Sequence, residues 1–397
     1  MRATNRVRCT SLTEPRNLGK PETLSEFPSL IRIAYVIPTL DQSGAERQLT
    51  LLATGLPRES YSVRVIALQR GGPYLKTLTD AGIGVRVLGK RFRLDPLTWY
   101  RLRQELRSFQ PDIVQSFLFA ANSYVRLPGV TPSAAKIVVS ERCVDTWKSD
   151  WQLSLDRRQV RRTHAMTANS NSVADFYAGV GVPRELITVI PNALPTTEPR
   201  YSRQEAREIL GLGNEHRVVG FVGRLAPQKR LHDVIWAFQL LHQLVENARL
   251  VLIGSGPERD ALSELATSFG CRDRVVFAGH REDASELMAA FDAFVLGSDF
   301  EGMSNSLMEA MSLGLPCIAS DIPPNRELII DGETGLLFPV GKSPNLAKLS
   351  ARVLSDAVLA DRLGRAARQR IATHHKVEQL ITAHESLYQR LLNCSAS

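Results

Sequence analysis

From Ile31 to Pro191 the chain alternates short β-branched runs with longer amphipathic stretches. Runs rich in Val and Ile predict strands, and stretches with apolar residues three or four positions apart predict helices. The strand-like runs are IRIAYVI, SVRVIAL, VRVL, DIVQSFL, KIVVS and ITVIP. This alternation predicts a parallel sheet with helices on both faces.

Three prolines within the segment 191–199 interrupt the alternation and predict a linker. The pattern restarts with VVGFVG, RLVLIG, RVVFAG, AFVLGS, PCIAS and GLLFP. We therefore expect two doubly wound α/β domains, over 31–194 and 195–375, with a cleft between them. A flexible tail is expected over 1–30, and a final helix over 376–397 that packs back on the first domain.

Composition fits this prediction, because 397 residues with 44% hydrophobic content suffice for two soluble cores. The five cysteines are scattered and lack any C-x-x-C spacing, which argues against a disulfide framework or a zinc site and favours a reducing cytoplasm. Residues 1–30 contain no apolar core of a secretory signal. No apolar run is long enough to predict a membrane-spanning helix.

The net charge of +8 is concentrated in the first half of the chain. Seven basic and two acidic residues lie between Arg86 and Arg107, and four arginines lie between Arg157 and Arg162. Such clusters suit either a solvated helix face or an anionic membrane surface. Nucleic acid is not an expected partner, because no known nucleic-acid motif and no interleaved exposed aromatics are evident.

Glu309 is nearly the only charge in an apolar helix-plus-strand stretch. A buried carboxylate needs a partner, either an arginine or a ligand such as a ribose, which offers two adjacent hydroxyls. Just before it, Ser304 or Asn305 can cap a helix whose first-turn N–H groups would bind phosphate. Glu301, in the preceding loop, could hold sugar hydroxyls. The segment 301–309 could thus contact all three parts of a nucleotide sugar.

An anion at this site requires cations, and Arg224 and Lys229 follow the strand VVGFVG. An arginine fork and a lysine point charge suit a diphosphate leaving group. Gly44, after the first strand, would let a ligand approach the backbone at a helix start, although a tight turn would also explain it. No cluster with metal-ligand spacing is evident, so no metal is expected.

Gly254 and Gly256 also follow a strand and open a helix, which raises the possibility of a dinucleotide site. The third glycine of that fingerprint is replaced by Arg259, and the next strand ends in Gly279 rather than in an acidic residue. We interpret the two glycines as clearance for packing or for a nucleotide. No G-x-S-x-G nucleophile elbow is present.

Six segments, in this order, resemble retaining glycosyltransferases of family 4, whose GT-B architecture has two facing Rossmann-like domains and an interdomain cleft. The segments are SGAER at 43–47, VIPNA at 189–193, GRLAPQK at 223–229, LVLIGSGPER at 250–259, EGMSNSLMEAM at 301–311 and NRELIIDGETGLLFP at 325–339.

The resemblance implies a role for each matching residue. Arg224 and Lys229 would bind the donor diphosphate. Glu301 would hold the transferred sugar and Glu309 the ribose. With Arg224 and Lys229, Glu301 completes the predicted catalytic set. The other predicted donor-binding residues are Gly44, Asn305, Ser306, Leu307 and Phe277.

The resemblance further implies a metal-independent enzyme without a cofactor. It would transfer a hexose or N-acetylhexosamine from a nucleoside diphosphate sugar, UDP-linked, to a glycan or lipid-linked acceptor for cell-surface polysaccharide or glycolipid synthesis. The expected location is the cytoplasm, peripheral to the inner membrane face.

The chain departs from the family pattern at two places. The segment Asp112–Asn122 lacks the histidines that many relatives carry. The turn that commonly reads Pro-Asn-Gly in the family reads Pro-Asn-Ala at Pro191–Ala193. Two alternatives therefore stay open: a non-catalytic nucleotide-sugar-binding partner subunit, and a nucleotide-sugar epimerase.

Overall fold

A computed structural model describes residues 30–93, 95–146, 148–195 and 200–393 of the chain. The predicted tail, apart from Leu30, lies outside the described residues, as do Cys9, Cys394 and part of the predicted linker.

The first domain has seven strands and six α-helices among its described residues. The strands are β1 (Ile31–Thr39), β2 (Tyr61–Arg70), β3 (Gly84–Val87), β4 (Ile113–Phe117), β5 (Lys136–Glu141), β6 (Ala165–Ala168) and β7 (Ile187–Val189). The helices are α1 (Gly44–Gly55), α2 (Pro73–Asp80), α3 (Pro96–Phe109), α4 (Leu118–Val125), α5 (Asp150–Gln159) and α6 (Asn171–Val180).

The rest of the described chain adds six strands and nine α-helices. The strands are β8 (Arg217–Val222), β9 (Ala248–Ile253), β10 (Val275–Gly279), β11 (Ala293–Leu296), β12 (Cys317–Ser320) and β13 (Leu336–Phe338). The helices are α7 (Arg203–Ile209), α8 (Leu231–Leu241), α9 (Arg259–Ser268), α10 (Ala284–Leu287), α11 (Asn305–Ser312), α12 (Pro323–Leu328), α13 (Ser343–Ser355), α14 (Ala357–His374) and α15 (Val377–Asn393).

Both sheets are parallel and doubly wound, which confirms the predicted fold class. Their strand orders are β3-β2-β1-β4-β5-β6-β7 and β10-β9-β8-β11-β12-β13. The order reverses between β1 and β4 in the first sheet and between β8 and β11 in the second. Ligands of such sheets bind outside the carboxyl ends of the strands at these switch points.

The hydrophobic pattern did not predict β6. Its sequence, AMTA, is four residues long and contains no Val, Ile or aromatic side chain. All four residues are buried, because β6 lies between β5 and β7. Its conformation is therefore decided by its neighbours rather than by local propensity.

The first sheet buries both faces, as helices on each side require. Ala34 and Val36 pack into one core, while Ile33 and Tyr35 pack into the other, because side chains alternate along a strand. Helix α15 completes the second of these cores with Leu380, Leu387 and Tyr388. Among the described helices, none is long and apolar enough to cross a membrane.

The chain passes between the domains twice, and the two crossings lie side by side. The Leu194 N–H donates to the His375 carbonyl oxygen at 2.9 Å, and His375 Nδ1 lies 2.9 Å from the Asn192 carbonyl oxygen. Away from the crossings, the Glu327 carboxylate of α12 accepts hydrogen bonds from the Asn171 and Ser172 N–H groups, each at 2.9 Å. These are the first residues of α6, so a carboxylate of the second domain caps a helix of the first.

Candidate active site

The second sheet places the predicted donor-binding segment at the cleft. β11 ends at Leu296, and the following loop leads into α11. The Ser304 hydroxyl accepts a hydrogen bond from the Leu307 N–H at 3.3 Å, so Ser304 caps this helix. The first N–H groups of a helix point out of its end, and the start of α11, where the sequence predicts a phosphate site, faces the first domain through Asn305.

Three predicted residues occupy the first turn of α11. The Leu307 side chain is wholly buried in the core, and its N–H is engaged by the cap. Its amide is therefore not directed at a ligand in this structure. The N–H groups of Asn305 and Ser306 precede it and stay at the open end of the helix. The Ser306 hydroxyl lies 3.3 Å from that of Ser304.

Glu301 lies beside Lys229 in the loop that precedes α11. The Lys229 Nζ is 2.5 Å from Glu301 Oε1, and the Ser298 hydroxyl donates to the same oxygen at 2.6 Å. Both charged side chains are largely buried, at 16% and 8% exposure. The ion pair brings together a predicted phosphate-binding cation and a predicted sugar-binding carboxylate.

Arg224, the other predicted cation, is exposed and has no ion-pair partner among the described residues. Its loop packs backbone to backbone against the following glycine turn. A Cβ on Gly254 would lie 1.9 Å from the Gly223 carbonyl oxygen, and one on Gly256 would lie 2.1 Å from that of Leu225. The two glycines therefore provide packing clearance, which supports the first of the two predicted interpretations.

Glu309 forms an ion pair with Arg47 of α1, across the cleft. The two side chains are 13% and 26% exposed, so the pair is partly desolvated. The arginine partner that the sequence left open as an alternative is thus present, and it comes from the other domain. In a partly buried site, a ribose that approached Glu309 would have to displace this arginine.

Gly44 and Asn305, both predicted donor-binding residues, contact each other across the cleft. Asn305 Nδ2 donates to the Gly44 carbonyl oxygen at 3.2 Å, and the Gln48 amide donates to Asn305 Oδ1 at 3.3 Å. A Cβ on Gly44 would lie 2.8 Å from Asn305 Nδ2. The glycine therefore permits the close approach of the two domains here.

Asn192, in the Pro191–Ala193 turn, holds the α11 turn from the first domain. Its Nδ2 donates to the Met303 carbonyl oxygen at 3.0 Å and to Asn305 Oδ1 at 2.8 Å. Its Oδ1 accepts a hydrogen bond from Arg142. From the sequence this turn was evident only as a departure from the PNG pattern, and no role for its asparagine was predicted.

A second contact joins the first domain to the donor loop directly. Cys143 and Gly302 form an isolated antiparallel bridge, and the Val144 N–H donates to the Glu301 carbonyl oxygen at 3.1 Å. The segment that follows β5 therefore forms part of the wall around Glu301.

Phe277, the remaining predicted donor-binding residue, lies in β10. Its ring is half-buried against the hydrophobic core of the second domain, and the Arg272 guanidinium carbon lies 5.1 Å from the ring centroid. The contacts described for Phe277 are thus with Arg272 and the core rather than with the 301–309 segment.

The segment after β4, where histidines are absent, contributes to a buried polar network. The Ser116 hydroxyl donates to Asn122 Oδ1 at 2.7 Å, and Asn122 Nδ2 donates to Glu141 Oε1 at 2.9 Å. Burial raises the pKa of Glu141 to about 7, and the nearby Lys148 partly opposes this rise.

Leu118 has a φ of 68°, a left-handed conformation that is uncommon for a bulky residue.

The two basic clusters lie on the surface of the first domain, and exposed aromatics accompany them. Phe92 is 69% exposed and Tyr100 is 55% exposed. Arg93 stacks over Trp151, with 4.3 Å between the guanidinium carbon and the ring centroid. The sequence did not predict these aromatics, and the structure places them among the arginines on this surface.

Among the described residues, no group of three or more His, Cys, Asp or Glu side chains could hold a metal ion. Asp299, which lies two residues before Glu301, forms an ion pair with Arg230 at 3.1 Å.

Two regions of the chain match described protein families. Residues 42–198 match Glycosyltransferase Family 4, and residues 202–370 match Glycosyl transferases group 1. The two matches together cover most of both domains.

The chain is similar to several known glycosyltransferases. It is 27% identical over 354 residues to the lipopolysaccharide core biosynthesis glycosyltransferase LpsD of Rhizobium meliloti, which covers 88% of this chain and 96% of LpsD. It is 27% identical over 242 residues to N-acetyl-alpha-D-glucosaminyl L-malate synthase of Bacillus anthracis, which covers 60% of this chain and 63% of that protein. The second alignment therefore spans less than two thirds of that relative.

Among solved structures, that of Anabaena Alr3699/HepE in complex with UDP-glucose is similar to this chain with a TM-score of 0.81 at 24% identity. The superposition covers 90% of this chain and 100% of that one. At this identity the likeness shows a shared fold.

Proposed function

The chain belongs to glycosyltransferase family 4 and has the GT-B fold, and from this premise we propose that it is a retaining glycosyltransferase. It would move a hexose or N-acetylhexosamine from a nucleoside diphosphate sugar, UDP-linked, to a glycan or lipid-linked acceptor. The proposed process is polysaccharide or glycolipid synthesis, which agrees with the name of the relative LpsD.

One observation carries the proposal: two partly buried carboxylates and a helix N-terminus lie together on one wall of the cleft. Glu301, Glu309 and the start of α11 are in one segment, and a cation already neutralises each carboxylate. Carboxylates bind adjacent hydroxyls of sugars, whereas the helix start binds phosphate. The helix start lies between the two carboxylates in the chain, and we propose that a phosphate binds there between two hydroxyl-bearing rings.

The nature of the donor is supported by two further points. Arg224 and Lys229 stand at the carboxyl end of β8, where a diphosphate would need positive charge. The similar Anabaena protein was solved in complex with UDP-glucose. We therefore propose a UDP-linked donor for this chain.

The chemical step follows from those charges. The bond between the anomeric carbon and the β-phosphate oxygen breaks, and the diphosphate leaves with the electron pair. The acceptor hydroxyl oxygen then bonds to the same face of that carbon, and its proton passes to the leaving phosphate oxygen. Arg224, Lys229 and the α11 N-terminus stabilise the charge that develops on this oxygen.

The two ion pairs imply an exchange of partners when the donor binds. Arg47 leaves Glu309 as ribose hydroxyls approach, and Lys229 shifts from Glu301 towards the phosphate. We propose that these cations supply the neutralisation for which other transferases use a divalent metal, so that transfer needs no metal and no cofactor.

A panel of nucleotide sugars tests the proposal. The purified protein is incubated with each donor, with membrane extract as the acceptor source, with and without EDTA, and the release of UDP or GDP is measured. We expect UDP release from one donor, unchanged by EDTA. The proposal fails if no donor binds and no nucleotide is released. Glu309→Gln should weaken UDP binding about tenfold or more by calorimetry, whereas Asp361→Asn, at an exposed pair on α14, should not.

A second candidate, a non-catalytic nucleotide-sugar-binding subunit, is favoured by the missing histidines. The positions in β4 and at the start of α4 hold Gln115, Phe117 and Ala120, none of which can transfer a proton as histidine does. Donor binding by calorimetry with no turnover on any acceptor would support this candidate. Slow hydrolysis of the donor would exclude it.

The location is proposed to be the inner face of the cytoplasmic membrane. The basic clusters and the exposed aromatics Phe92, Tyr100 and Trp151 support a peripheral contact of the first domain with anionic lipid.

A further inference from the structure

Arg142 is a cation between the two domains without a carboxylate partner. It follows β5 directly and precedes Cys143, which pairs with Gly302 of the donor loop. Its guanidinium donates to Asn192 Oδ1, and the described parts of the chain provide no ion pair for it. The Arg142 side chain is half-buried, and this burial lowers the pKa of Arg142 to about 10.

Among the described residues of the first domain, two cations that are buried more deeply than Arg142 are neutralised by carboxylates. Arg126 pairs with Asp156 at 2.6 Å, and Lys148 lies within 3.0 Å of both Asp145 and Asp156. Even partial burial of an unpaired charge is unfavourable, so uncompensated cations between two domains are uncommon away from binding sites. An uncompensated arginine in a cleft therefore indicates a site for an anion from outside the protein.

The contacts of Arg142 point to the place where that anion would bind. Arg142 bonds to Asn192, and Asn192 bonds to Asn305 at 2.8 Å. Asn305 is the first residue of α11, whose N-terminus is the predicted phosphate site described above. Arg142 is therefore two hydrogen bonds away from that site, on the opposite wall of the cleft from Arg224 and Lys229.

We propose that Arg142 is a third cation for the donor diphosphate, and that the first domain supplies it. The proposal rests on the proposed function and adds a residue to its donor site. Because the neighbouring residues Cys143 and Val144 are bonded to the donor loop, Arg142 reaches the diphosphate only while the cleft is closed. Stabilisation of the leaving group is thereby coupled to closure of the two domains.

Three probes separate this role from a structural one: UDP, inorganic diphosphate and uridine, each titrated by calorimetry. Arg142→Met should weaken the binding of UDP and diphosphate about tenfold to a hundredfold and leave uridine binding unchanged. Arg142→Lys, which keeps the charge, should restore part of the affinity. Arg158→Met, at an exposed arginine of α5, is the matched control and should bind all three probes like the wild type. Melting curves of each variant verify that it is folded.

Two outcomes would overturn the assignment. If Arg142→Met binds UDP and diphosphate as the wild type does, Arg142 is not a donor cation. If UDP binding is unchanged but the KM for the acceptor rises, the anion belongs to an acceptor phosphate instead. The diphosphate titration stands apart from the proposed function, because it tests the phosphate site even if the wild type binds neither uridine nor UDP.

Discussion

At the scale of single residues, the candidate site contains two carboxylates, and a cation neutralises each of them. Glu301 has Lys229, and Glu309 has Arg47. Local sequence indicated that Glu309 needs a partner but left open whether this is an arginine or a ribose. Both interpretations can hold in turn, because the arginine comes from the other wall of the cleft and a ligand can replace it.

Gly302 allows the most direct test at this scale. A Cβ at this position would lie 1.9 Å from the Arg142 carbonyl oxygen, so Gly302→Ala must push the first domain away from the donor loop. We expect kcat/KM to fall at least about tenfold, because Glu301 and the α11 N-terminus lose the first-domain wall. Steady-state kinetics measure this effect.

The control for that variant is Gly179→Ala, where a Cβ would meet no atom within 4 Å. It should keep wild-type kinetics. Wild-type kinetics for Gly302→Ala as well would mean that the bridge to Cys143 has no part in activity.

At the scale of elements, α15 joins the first domain through buried polar groups as well as apolar ones. The Tyr388 and Tyr35 hydroxyl oxygens are 3.0 Å apart, and the Tyr388 hydroxyl also donates to Gln115 Oε1. Gln115 Nε2 donates to the Ser140 hydroxyl at 2.8 Å and lies 3.4 Å from His384 Nε2. The apolar stripe predicted the helix, but not this network.

His384 should make the stability of the protein depend on pH. Burial lowers its pKa from 6.5 to about 4, so the folded state resists protonation that the unfolded state accepts. The resulting stability is fully present above pH 6.5 and is lost as the pH falls towards 4. Between pH 7.5 and pH 4.5 we expect the protonation of this group to lower the free energy of unfolding by about 2 kcal/mol.

Urea denaturation of the wild type and of His384→Gln at both pH values measures that loss. Glu141 acts in the opposite direction, because its pKa is raised and its contribution falls as the pH rises from 4.5 to 7. Since Glu141 is present in both proteins, the difference between them isolates His384. Equal pH dependence of the two proteins would rule out the histidine as the cause.

At the scale of the whole molecule, two domains are held in one arrangement by contacts far from each other. One contact is the hydrogen bond between the two crossings, at Leu194 and His375. Another is the hydrogen bonding of the Glu327 carboxylate, in α12, to the first residues of α6. The candidate active site lies on the faces that these contacts bring together. The basic and aromatic surface of the first domain is a separate feature of the exterior.

Vesicle co-sedimentation tests this surface. We expect binding that rises with anionic lipid content and falls as salt increases from about 50 to 300 mM, because screening weakens charge attraction. The double variant Arg91→Glu with Arg93→Glu should release the protein, and Phe92→Ser should weaken binding without changing its salt dependence. Arg352→Glu, at an exposed position of α13, is the control. Binding that ignores lipid charge would contradict an electrostatic contact.

Strand periodicity and β-to-α turns are local features, so the sequence alone predicted the two doubly wound sheets and the segments at their carboxyl ends. It thereby placed Arg224, Lys229, Glu301 and Glu309 at the cleft. It missed β6, whose short sequence has no strand signal of its own.

The ion pairs of the site, in contrast, are evident only in the folded protein. Arg47 pairs with Glu309 and Lys229 pairs with Glu301, whereas Arg142 has no carboxylate partner among the described residues. The tertiary structure likewise revealed Asn192 as a link between the crossing and α11. These contacts join residues distant in the chain, so they depend on how the two domains pack and not on any local propensity.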